Sequence, residues 1–122
     1  MLGAIFGGLA VAAGAFASHA LKTQLSERSQ QIFETGTQYQ MYHALALILV
    51  ALLLNRAEAT DPWVQGAGYA FSVGIILFSG SLYGLSLSGI KWFGPITPIG
   101  GVALLVGWGC LAISAVKSTP VS

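Results

Sequence analysis

Charge is scarce in this chain of 122 residues: five Lys or Arg and four Asp or Glu make 7% of the total, against roughly 25% in ordinary soluble domains. So few ionic groups, nearly balanced in sign, give no basic face for nucleic acid and no polybasic run for anionic lipid. Cysteine is reduced to Cys110, which excludes an intrachain disulfide and a C-x-x-C metal site. Catalytic signatures are missing too. Ser79-Gly80-Ser81 lacks the flanking glycines of a nucleophile elbow, and no aspartate lies nearby to complete a triad. No His-Glu-x-x-His, phosphate-binding loop or nucleotide fingerprint occurs. The expectation is a protein that is not an enzyme, with no catalytic residues, no metal site, no cofactor and no nucleic-acid partner.

What the chain has instead is apolar length, with 55% of its residues hydrophobic. Four runs, at about residues 1–21, 39–54, 63–88 and 96–116, are apolar enough to sit in lipid, where a helical span needs roughly 20 residues. Charges fall almost wholly between them: Lys22, Glu27, Arg28 and Glu34, then Arg56, Glu58 and Asp61, then Lys91, and finally Lys117. Backbone groups in lipid must be satisfied internally, so the runs are read as α-helices. Stretches such as Ala44 to Leu54 do not alternate as barrel strands would. The predicted fold is an all-α membrane protein, a single domain over residues 1–122 forming an antiparallel bundle of four transmembrane helices. Ala15-Phe16-Ala17 resembles a signal-peptidase site, but no Lys or Arg precedes the first run, which is expected to stay as an uncleaved helix.

The links differ in character. In the first, Leu21, Leu25, Ile32 and Phe33 recur near helical spacing among polar residues, which predicts a short amphipathic segment in the interface. Thr35 and Gln38 have the spacing of a capping box that would open the second helix, although an unbroken helix from Ser29 fits as well. The second link, Asn55 to Pro62, reads as a polar turn with Pro62 in the first turn of the next helix. In the third, Gly94-Pro95 and Pro98 are expected to break the helix. Trp63, Trp92 and Phe93 suit the headgroup level. Basic residues divide evenly between the two sides, so loop charge alone sets no orientation.

Small residues recur every three or four positions in three of the runs. The first carries Gly3, Gly7, Ala10, Gly14 and Ala17; the third Gly66, Ala70 and Gly74, then Gly80, Gly84 and Ser88; the fourth Gly100, Ala103, Gly107, Cys110 and Ser114. Each set shares one helix face, where small side chains let neighbouring backbones approach. Gly3, Gly7, Gly14, Gly74, Gly80, Gly84, Gly100 and Gly107 are therefore expected to pack helices together.

Polar residues inside the runs gather at one depth. Ser18 and His19 end the first helix, Gln38, Tyr39, Gln40, Tyr42 and His43 open the second, Ser79, Ser81 and Tyr83 lie late in the third, and Thr97 opens the fourth. In an antiparallel bundle all of these share a leaflet. Polar groups in the membrane usually face the bundle interior, so His19, Tyr39, Gln40, His43, Ser79, Ser81, Tyr83 and Thr97 form a candidate cluster. Several roles are open to it: structural hydrogen bonding between helices, ligation of haem or a divalent metal by the His19 and His43 pair, a quinone or lipid headgroup site, and a proton relay. The structural role leads, because no carboxylate or thiolate accompanies the histidines and Glu34 lies outside the expected hydrocarbon.

Several motifs together resemble a known family. They are Gly14-Ala-Phe-Ala-Ser-His19-Ala-Leu21, Phe33-Glu-Thr, Tyr39-Gln-Met-Tyr-His43-Ala-Leu-Ala-Leu47, Leu77-Phe-Ser-Gly-Ser-Leu-Tyr83 and Gly94-Pro-Ile-Thr-Pro98 followed by Gly100-Gly101. In order and spacing they resemble the YgdD-like small membrane proteins, domain-of-unknown-function family 423, related to a small mitochondrial membrane protein of animals. The resemblance implies four transmembrane helices, a bacterial inner (cell) membrane location and cytoplasmic termini, and it implies no activity. Two positions depart from it: Ala17-Ser18 stands where Gly-Ala is expected before the histidine, and Gln38 where a basic residue is usual. The leading functional expectation is a non-enzymatic membrane protein that binds lipid, partner proteins or further copies of itself through its Gly/Ala faces, as an oligomer or as an accessory subunit of a membrane complex. The alternative is a carrier or pore for a small solute, using the polar cluster as the mouth of a cavity.

Overall fold

A computed structural model describes residues 1–56 and 61–118 as four antiparallel helices, each long and apolar enough to cross a bilayer. Helix α1 runs over Leu2–Phe16 and ends in a π-helical turn, Ala17–Leu21. Helix α2 spans Glu27–Arg56, α3 Pro62–Ser88 and α4 Ile96–Ser118, with a 3-10 turn at Lys91–Phe93 between the last two. Of the polar turn expected at Asn55 to Pro62, residues 57–60 lie outside the described residues.

The second helix starts twelve residues earlier than the apolar run. Ser26 accepts the Ser29 N–H at 3.1 Å and so caps the helix at Glu27. Thr35 and Thr37, near the expected start, instead donate back to the carbonyls of Gln31 and Glu34 at 3.0 and 2.8 Å. Hydroxyls bonded one turn back belong to a continuing helix, so the Thr35–Gln38 capping box does not form. The amphipathic segment between the first two helices is thus the opening of α2 itself. At 30 residues, α2 is about 45 Å long, well beyond the roughly 30 Å of hydrocarbon.

The other ends follow local chemistry. Asp61 is the N-cap of α3, its Oδ1 accepting the Trp63 N–H at 2.9 Å, and Pro62 fills the first turn, where its missing N–H has no intrahelical partner. Gly89 closes α3 in the left-handed region (φ 72°), its N–H reaching Leu85 O. Pro98 does not break a helix: it lies in the first turn of α4, where no i−4 carbonyl requires its N–H.

Packing follows chain order: α1 lies on α2, α2 on α3 and α3 on α4. The core sits between α2, α3 and α4, with Phe71 and Ala67 fully buried among Leu47, Val50, Val64, Ile75 and Leu104. Glycine sets the register of these pairs. A Cβ on Gly3 would come 2.8 Å from Ala44 O, one on Gly74 would strike Leu104, one on Gly100 would enter the Phe78 backbone, and one on Gly107 would press on the Phe71 ring. Gly84 sits under the Phe93 ring, and Gly7 makes ordinary contact with Ala44 and Met41. Two expected packing glycines behave differently: at Gly14 and Gly80 a Cβ would meet nothing within 4 Å among the described residues. Their faces are open because α1 and α3 are both seated on α2 and do not close on one another.

Candidate functional site

His43 and Gln40 are both 5% exposed, and each has a polar atom bonded to a neighbouring helix. The His43 ring uses both nitrogens. Its Nδ1 lies 2.7 Å from Tyr39 O, one turn back, and its Nε2 accepts the Trp108 indole N–H from α4 at 2.9 Å. A carbonyl can only accept and an indole can only donate, so the arrangement fixes a neutral imidazole protonated on Nδ1. Phe71 and Trp108 pack on the ring at centroid distances of 5.5 and 5.8 Å.

Gln40 joins three helices. Its amide nitrogen donates to Phe6 O of α1 at 2.8 Å, and its Oε1 accepts the Tyr83 hydroxyl of α3 at 2.5 Å. Ser79 donates to Gly36 O at 2.7 Å, across the place where glycine admits the Tyr83 ring. Ser81 donates to Phe78 O at 2.9 Å, which leaves Thr97 Oγ1 as the donor in their 2.6 Å contact between α3 and α4. Tyr39, expected in the cluster, is exposed instead: its ring lies outside the buried set and stacks on Phe78 at 4.7 Å. Among the described residues no buried side-chain nitrogen or oxygen lacks a partner.

His19 stands apart from this set. It is exposed and lies in the π-helical turn, at the far end of α1 from the Gly3–Ala44 contact that neighbours His43. Sixteen residues of helix between Gly3 and His19 amount to about 24 Å. The cause is the early start of α2, which places the α1–α2 turn beyond the polar layer rather than inside it. A paired-histidine ligand set is therefore not formed, and among the described residues no group of three His, Cys, Asp or Glu could hold a metal.

Three partners in these bonds were not visible as candidates in the sequence: Trp108, Gly36 and the Phe6 carbonyl. Trp108 carried the one usable signal, since an indole N–H within an apolar helix requires an acceptor. A further bond ties the opposite end. Ser114 of α4 donates to Asp61 Oδ2 at 2.5 Å, and the Lys117 ammonium lies 5.1 Å above the Trp63 ring. The Ser114 hydroxyl, then the Trp63 and Val64 N–H groups and the Lys117 charge, hold the Asp61 carboxyl below the usual carboxylate range.

Beside the cluster runs an open groove of ≈ 360 Å³ between α1 and α3, floored by Gln40 of α2. Its walls are apolar, with Leu9 and Ala13 on α1 facing Ile76 and Gly80 on α3.

A family model described as a protein of unknown function, DUF423, matches residues 13–101. The chain is 45% identical to the UPF0382 membrane protein YwdK of Bacillus subtilis over 117 residues, covering 96% of this chain and 94% of that protein. UPF0382 membrane proteins of Staphylococcus epidermidis and Staphylococcus aureus are 42% and 43% identical, again over 96% of this chain and 93% of their own length. No solved structure matches.

Proposed function

This chain belongs to the DUF423 family of membrane proteins of unknown function, and we propose that it works without catalysis, by associating laterally in the bilayer with protein partners or with copies of itself. The groove between α1 and α3 carries this reading. It is apolar, it is open to the side, and Ala13 and Gly80 give it the small-residue walls that admit a further helix at close range. Among the described residues a Cβ on Gly80 would meet nothing, so its missing side chain serves no packing contact there.

The polar cluster supports the same choice over a solute carrier. A carrier site needs polar groups free to exchange partners with its cargo. Here the buried hydroxyls, amide and imidazole are bonded to one another or to backbone, which suits a rigid scaffold. Kinship with membrane proteins of Bacillus and Staphylococcus favours the bacterial cell membrane, and we place both termini in the cytoplasm.

Native mass spectrometry of the protein released from nanodiscs tests this proposal. Oligomers or stoichiometric protein partners are expected for the natural chain. Filling the groove with Ala13→Leu and Gly80→Leu should remove them while helix content stays unchanged. A partner-free monomer from the natural chain would overturn the reading.

A further inference from the structure

A second cavity lies at the other end of the α1–α2 seam, and its chemistry differs from the groove's. It measures ≈ 220 Å³ and is lined by Ala17 and Ser18 of the π-helical turn, by Lys22 just after it, and by Gln30 and Glu34 of α2. Gln30 braces the wall: its amide nitrogen donates to Lys22 O at 2.5 Å and to Leu25 O at 3.1 Å. The other polar side chains are a hydroxyl, an ammonium and a carboxylate. Lys22 and Glu34 line the same space with no ion pair between them among the described residues.

Depth follows from the helix register. Glu34 stands two residues before Gly36, which meets Tyr83, so the cavity lies level with the last turn of α3 and its Gly89 cap. After that cap in the chain come Trp92 and Phe93, stacked at 4.9 Å, with the Phe93 ring folded back over Gly84 and Trp92 exposed, which sets this aromatic pair level with the cavity. Aromatic residues of this kind mark the membrane–water interface. The cavity therefore opens among lipid headgroups rather than in bulk water or hydrocarbon.

A cation and an anion lining one cavity at that depth match a zwitterion. We propose that the cavity binds the phosphoethanolamine headgroup of a membrane lipid. Lys22 and the Ser18 hydroxyl face its phosphate, and Glu34 accepts hydrogen bonds from its primary ammonium. A phosphatidylglycerol headgroup carries the phosphate but no ammonium, so it offers the Glu34 carboxylate a neutral hydroxyl in place of a cation. A choline headgroup has no N–H to donate, and quaternary ammonium groups are held by aromatic cages, whereas among the described residues no aromatic side chain lines this cavity. The site is separate from the groove between α1 and α3, so it stands whether or not the lateral association above is correct.

The test uses the full chain in nanodiscs holding equal parts of phosphatidylethanolamine, its N-methylated forms, phosphatidylcholine and phosphatidylglycerol. Lipids retained after release are identified by native mass spectrometry. Phosphatidylethanolamine should be retained about tenfold over phosphatidylglycerol and phosphatidylcholine, as one charge-assisted hydrogen bond supplies, and retention should fall with each added methyl group. Glu34→Gln should abolish the preference over phosphatidylglycerol, Lys22→Gln should lower retention of both, and Glu27→Gln, outside the cavity, should change neither. Equal retention of all headgroups by the natural chain would overturn the proposal without recourse to any variant. Displacement by water-soluble phosphoethanolamine, with no lipid preference, would assign the site to a free zwitterion and overturn its lipid assignment.

Discussion

The indole N–H of Trp108 on α4 donates to Nε2 of His43 on α2 at 2.9 Å, across a seam in which the Phe71 ring of α3 packs on both partners. The bond lies near the middle of α3's length, between the Val50–Gly68 and Gly36–Tyr83 contacts of α2 with α3. No water is at hand there to replace either partner, so each group depends on the other.

His43→Ala and Trp108→Phe should therefore be non-additive. Interhelical hydrogen bonds in membranes contribute about 0.6 kcal/mol on average and up to about 1.7, so a double-mutant coupling energy in that range is expected from unfolding in mixed detergent. In a Trp63→Phe, Trp92→Phe background, Trp108 is the sole tryptophan, and its emission should shift when His43 is replaced. Additive effects, within about 0.3 kcal/mol, would show that the bond does not couple the helices.

Much of the architecture could be read from composition and spacing. Four apolar runs separated by the few charges give four helices, and Asp61-Pro62 marks the start of α3. Spacing leaves two starts open for α2, a Thr35–Gln38 cap and an unbroken helix from Ser29, and the structure takes the second, beginning at Glu27. Thr35 and Thr37 carry the same residue type whether they cap a helix or bond back within one, and only the Ser26–Ser29 bond separates the cases. The same twelve residues put His19 outside the polar layer, because its depth follows from where the α1–α2 turn lies. Glycine spacing showed which faces were small but not which neighbour each face would meet. Gly100 and Gly80 look alike in sequence and differ because α3 covers the Gly100 face, whereas among the described residues nothing covers Gly80.

That contrast gives a direct prediction for stability. At Gly100 a methyl group would lie within 3 Å of the Phe78 Cα, and backbone cannot swing aside as a side-chain tip can. Gly100→Ala should cost about 1–3 kcal/mol, as overpacking does. Gly14→Ala and Gly80→Ala enter open space and should be neutral or stabilising by up to about 1 kcal/mol through helix propensity. Thermal unfolding of the three variants in one detergent checks the order. Equal losses at all three positions would remove the distinction between covered and open glycine faces.

The final prediction concerns acid. Asp61 has a folded-state pKa below its ordinary value, chiefly through the Ser114 hydroxyl, with the Trp63 and Val64 N–H groups and Lys117 adding to it. A depressed carboxyl binds protons less readily in the folded protein than in the unfolded one. Its contribution is thus fully present above the usual carboxylate pKa of about 3.9 and disappears as pH falls through the lower folded value. The natural chain should lose thermal stability below about pH 4 in excess of an Asp61→Asn variant, whose cap and Ser114 contact do not titrate. Because the remaining carboxylates titrate in both proteins, the difference between their pH profiles isolates Asp61. Ser114→Ala should move the acid limb of the natural profile to higher pH, since the largest cause of the depression is gone. Superimposable profiles for the natural chain and Asp61→Asn would mean that the α3 cap does not hold α4 in place.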